Sequence, residues 1–200
     1  MIVPLPGGKL SSILRGRDRA MIVAVILVNV IVVLGVVLLA RSDDGDEADA
    51  TRPVPPPPRA GRAVENRAIG ARIRKPRGWV HRRVGNALNL RSPDSTTIVS
   101  ISLPPGATNN TDVLRSAQSE IRRQYRRVKV ARQPGRVAGL PTVSVVISAV
   151  NRKGTPLNIF VSAAQGRNRA WLVQIFSAPG ARSKRLPEAQ VSIGTLRLSG

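Results

Sequence analysis

Six cations fall within fifteen positions of the segment DVLRSAQSEIRRQYRRVKV: Arg115, Arg122, Arg123, Arg126, Arg127 and Lys129. A guanidinium group presents its N–H donors as a planar fork that grips phosphate or carboxylate at two points. The chemistry expected of this segment is therefore recognition of an anion, not bond making. Leu114, Ala117, Ile121, Tyr125 and Val128 recur at helical spacing, and Thr111 or Asp112 can cap, which predicts an amphipathic helix over residues 112–128 with a basic outer face. Phosphate-bearing lipid, a wall polymer or an acidic face of another protein would each suit it. The bland alternative is a solvated face in an arginine-rich chain, since 32 Lys and Arg face only 11 Asp and Glu and give a net charge of +21.

Other chemistry has little material. Beyond residue 60 the carboxylates are Glu65, Asp94, Asp112, Glu120 and Glu188. Asp112 reads as a cap, Glu120 as a solvated partner for nearby arginines, and Glu188 as a first-turn residue favoured by a helix dipole. No two are spaced as a general acid and base pair. His81 stands alone among arginines, and there is no cysteine, which excludes disulfides, thiolate nucleophiles and Cys-type zinc sites. No phosphate-binding glycine loop or nucleophile elbow occurs. The expectation is a non-enzymatic protein with no cofactor and no metal. Trp79 and Trp171 are expected to pack in the core.

The elements that must position the basic segment are mostly strands. AIGARIRKP (residues 68–76) alternates Ile69, Ala71 and Ile73 with polar positions, the period of a half-buried strand. NALNLRS and TTIVSISL come next, with Pro93 and Asp94 as turn formers between them. After the basic segment come PTVSVVISAV, PLNIFVSAA and AWLVQIFSA, separated by the hairpin signals NRKG and GRNR. Leu186, Ala189, Ile193 and Leu196 then predict a final helix. The fold class expected is α+β, an antiparallel sheet flanked by helices.

Residues 20–40, AMIVAVILVNVIVVLGVVLLA, carry no charge over a length that as a helix matches the hydrocarbon core of a bilayer, roughly 30 Å. Lys9, Arg15, Arg17 and Arg19 precede this stretch, and Arg41 followed by Asp43, Asp44, Asp46, Glu47 and Asp49 comes after it. Basic residues in a short flank stay cytoplasmic, so the expected arrangement is a cytoplasmic tail at 1–19, a single transmembrane helix at 20–40 and an extracytoplasmic remainder. Cleavage as a signal peptide is the competing reading, but such apolar regions run shorter. Residues 41–66 read as an acidic and proline-rich disordered linker, whose run Pro55 to Pro58 favours an extended polyproline stalk. Residues 67–200 form the extracytoplasmic domain. A nucleic-acid-binding protein tethered in the opposite topology is the alternative; no recognised DNA or RNA module supports it.

The early strand followed by P-x-G-W (Pro76, Gly78, Trp79), the G-L-P step (Gly139, Leu140, Pro141) into three long strands, and the closing helix with an apolar pair resemble the PsbP-like fold. More narrowly they resemble the LpqN-type extracytoplasmic proteins of actinobacteria, over roughly residues 67–198. The resemblance implies an α-β-α sandwich serving as a binding or assembly module of the cell envelope. It departs from the lipoprotein pattern because no lipid-acceptor cysteine is present, so anchoring would fall to the apolar helix.

Overall fold

The computed structural model describes residues 60–179 and 185–199. The expected membrane helix over residues 20–40 and the acidic stretch lie outside them, and among the described residues no helix is long and apolar enough to cross a membrane.

Short runs rich in aliphatic residues build most of a seven-stranded antiparallel sheet in the order β3-β4-β5-β9-β8-β7-β6. Its strands are β3 (Val80–Val84), β4 (Ala87–Arg91), β5 (Thr97–Ser102), β6 (Arg126–Arg132), β7 (Thr142–Val150), β8 (Pro156–Gln165) and β9 (Ala170–Ser177). The hairpin turns expected at residues 151–154 and 166–169 join β7 to β8 and β8 to β9. A small second sheet holds β1 (Ala60–Asn66), β2 (Ala71–Pro76) and β10 (Arg197–Leu198) in the order β1-β2-β10. Two helices complete the domain, α1 (Asn110–Gln124) and α2 (Leu186–Gly194).

The period of two along β9 divides the core. Leu172 and Phe176 join Ile147, Ile159 and Val161 beneath Val113, Ala117 and Ile121 of α1. Trp171 is fully buried, and its neighbours Val173 and Ile175 face the other way, toward Ile69, Ile73, Trp79, Leu88, Leu90 and Ala189. One outer layer is therefore the helix α1, and the other combines the small sheet with α2. The α+β class and the antiparallel sheet are as expected, while the second outer layer is a mixture of strand and helix.

Three boundaries differ from the sequence expectation. Residues 60–66, expected to end a disordered linker, form β1, in register with β2 through Val64 opposite Ile73 and Asn66 opposite Ala71. Only Val64 gives this stretch an aliphatic signal; the β2 ladder and Asn66, whose Nδ2 donates to the Ala87 carbonyl at 3.1 Å, hold it. Residues 67–69 are one turn of 3-10 helix, closed by Gly70 at φ 62°, so the strand begins at Ala71. The last helix stops at Gly194, and Leu196 is buried outside it, just before β10.

Candidate functional site

The basic segment is divided between a helix and an edge strand. Asn109, rather than Thr111 or Asp112, caps α1, its side chain accepting from the N–H groups of Thr111 (2.7 Å) and Asp112 (3.3 Å). The helix ends at Gln124, four residues before the expected limit, and Tyr125 turns to extended backbone. The cause is the strand beyond it: Val128 and Val130 are β-branched residues two apart, and the β7 ladder captures residues 126–132 as β6. A shift of register between Arg126 and Lys129 puts a bulge there, with Arg127 in the left-handed region at φ 52°.

This division scatters the six cations. Arg115 pairs with Asp112 at 3.0 Å, and Arg123 pairs with Glu120. Glu120, expected to be solvated, has a side chain only 3% exposed, and Gln124 Nε2 also donates to it at 2.5 Å. Arg122, Arg126, Arg127 and Lys129 have no carboxylate partner among the described residues. Lys129 lies opposite Ser148 and Arg126 opposite Val150, which puts both on the sheet face turned away from α1. Val130 and Arg132, opposite Ile147 and Val145, are on the α1 face.

An open groove of about 740 Å³ runs between α1 and the β6–β7 edge. Leu114, Val130, Val143 and Val145 give it an apolar floor, and the side chains of Arg115, Gln118, Arg132 and Gln133 line its polar parts. No carboxylate lines it. Arg122 lies one turn beyond Gln118 on the same side of α1, outside the groove's lining. Arg132 is the contribution that helical periodicity missed. Its signal was the period of two in VKVAR, which puts Val128, Val130 and Arg132 on one side of a strand.

The remaining candidates stand elsewhere in the fold. All five carboxylates of the described residues pair with arginine. Arg185 binds Asp94 at 2.8 Å and Glu188 at 3.0 Å, and Trp79 Nε1 donates to Glu188 at 2.6 Å, tying the β4–β5 turn to the start of α2. Burial raises the Asp94 carboxyl, but hydrogen bonds from Ser92, Arg185 and Thr96 outweigh it and hold the carboxyl well below the usual range. Both tryptophans are 1% exposed, and Trp171 Nε1 donates to the Ile69 carbonyl at 2.7 Å. His81 is exposed on β3. Among the described residues, no three His, Cys, Asp or Glu side chains stand together to hold a metal ion.

No family model and no curated protein matches the chain. Solved structures do. A crystal structure of a protein from Bacteroides thetaiotaomicron is 16% identical with a TM-score of 0.49, the match covering 71% of this chain and 50% of that one. The chain thus spans half the length of that protein. The solution structure of the cyanobacterial PsbP, CyanoP, from Synechocystis is 9% identical with a TM-score of 0.49 over 77% of this chain and 98% of that one. The crystal structure of LpqN, involved in cell envelope biogenesis of Mycobacterium tuberculosis, is 11% identical with a TM-score of 0.48 over 65% of this chain and 83% of that one. The two groups that the sequence motifs resemble are both among these structures.

Proposed function

We propose that the chain is a single-pass, membrane-anchored binding or assembly module whose folded domain stands on the extracytoplasmic side of the envelope and contacts anionic groups through the α1–β6 border. No catalytic step is assigned to it. The carrying observation is the groove whose rim bears Arg115 and Arg132 and whose lining holds no carboxylate. The apolar stretch at residues 20–40 supports the anchor, and the cations ahead of it support the orientation. With Arg122 on the same side of α1, three guanidinium groups would face one anionic surface, and cations near such a surface contribute about 1 kcal/mol each.

The test uses the full chain in nanodiscs, with a fluorophore on the domain and an acceptor in the lipid. Phosphatidylglycerol in place of phosphatidylcholine should draw the domain onto the bilayer, and salt should release it. Replacing Arg115, Arg122 and Arg132 by Gln together should weaken docking about 100-fold, whereas Arg126→Gln and Lys129→Gln on the other sheet face should do far less. Docking that ignores lipid charge and all five substitutions contradicts an anionic-lipid contact.

A further inference from the structure

The groove beside α1 combines two features that a charge patch alone does not need. Its floor is aliphatic, built from Leu114 on the helix, Val130 on β6, and Val143 and Val145 on β7. Leu114, Val130 and Val143 pack against the core while remaining partly exposed, so the core's apolar surface continues into the groove. The cations sit at its border. Arg132 has no carboxylate partner among the described residues, and Arg115 has only the exposed Asp112. A bare phosphate would satisfy the arginines and leave the floor wet, and a plain hydrocarbon would cover the floor and leave the arginines idle. An apolar body with an anionic head meets both. The volume of about 740 Å³ falls in the usual range of small-ligand sites, about 300–1,000 Å³.

The edge strand argues against an extended peptide as occupant. Among the described residues β6 pairs only with β7, but the strand is bent by the bulge at Arg127 and carries a run of cations, devices that discourage strand addition. Chain length argues for the bilayer as the source. The described domain begins at Ala60, with nineteen residues between it and the end of the apolar stretch at Ala40, and a chain of that length spans about 70 Å at most. A domain on such a tether can rest on the membrane that anchors it.

We infer that the groove between α1 and β6–β7 takes up an acyl chain of a net-anionic phospholipid of the bilayer, with Arg115 and Arg132 holding the head group at its mouth. The inference rests on the anionic contact proposed above and adds to it a seat for the chain.

The experiment places the full chain in phosphatidylcholine nanodiscs containing a small fraction of phosphatidylglycerol with a photoreactive diazirine near the end of one acyl chain, and maps the labelled residues by mass spectrometry. Label is expected within residues 111–118 and 130–145, in addition to residues 20–40. Arg115→Gln with Arg132→Gln should reduce the domain label about tenfold or more. Leu114→Gln, or the closely shaped Val143→Thr, should reduce it while charge-dependent docking persists and the thermal melt confirms folding. Label confined to residues 20–40 with docking intact overturns the groove assignment and leaves the anionic contact standing. Equal domain label from a phosphatidylcholine probe, or label indifferent to both arginines, overturns the head-group assignment. Loss of docking and domain label in the unaltered chain removes both readings.

Discussion

Asp94 shows how a strongly basic chain uses its few acids. Its carboxylate accepts from Ser92 Oγ at 2.6 Å and Thr96 Oγ1 at 2.8 Å and binds Arg185, which in turn holds Glu188. Its folded pKa lies below the ordinary 3.8, so the folded state binds its proton less readily than the unfolded chain does. The stabilisation is therefore complete above about pH 4 and is lost as the pH falls from there through the lowered folded value. Asp94→Asn should cost about 1 kcal/mol at neutral pH, discounted for a side chain 39% exposed, and should flatten the decline of the thermal midpoint below pH 4. An unchanged acid profile in that variant would show that Asp94 does not set it. Arg127 is the opposite case, a side chain held where its backbone is strained. Left-handed geometry costs a non-glycine residue about 1–2 kcal/mol, and glycine's greater freedom when unfolded returns about 0.5–1. Arg127→Gly should thus raise stability by about 0.5–1 kcal/mol in a denaturant titration, whereas destabilisation would mean that the arginine side chain contributes more than its backbone loses.

Among the elements, the small sheet depends on one residue. Gly70 takes φ 62°, and a Cβ built on it would stand 2.1 Å from the Ser199 carbonyl oxygen. The Gly70 carbonyl also accepts the Ser199 N–H at 2.8 Å, next to the β2–β10 ladder. Gly70→Ala should cost about 2–4 kcal/mol and should raise amide exchange first in β10; uniform exchange changes would place the strain elsewhere. Strands rich in aliphatic residues and bounded by turn formers were legible in the sequence: β4, β5, β7, β8 and β9 lie where those apolar runs and turn residues put them. β1 was not, because Val64 alone carries its apolar signal and its pairing with β2 is a tertiary fact. The basic segment was legible as a cation cluster but not as a shape. Tyr125 and Val128 fit a helical stripe by spacing, and only the competition between continuing α1 and joining β7 decides that the chain turns at residue 125. Arg132 entered the candidate site, and Arg126 and Lys129 left its face, for that one reason.

Over the whole molecule, the charge and the proposed anchor give one account. Net charge of +21 on 200 residues provides long-range attraction to any polyanion without choosing among them. Selection must come from geometry, and the groove beside α1 is aliphatic, with arginines at its rim and no acid in its lining. With the proposed anchor, whether that groove meets envelope components depends on the side of the membrane it occupies. The chain contains no cysteine, so Ser119→Cys on the exposed outer side of α1 creates a unique thiol. Labelled with a membrane-impermeant maleimide on intact cells, or on spheroplasts where an outer barrier blocks the reagent, that thiol should react as completely as it does after lysis. Reaction only after lysis would place the domain in the cytoplasm and contradict the account.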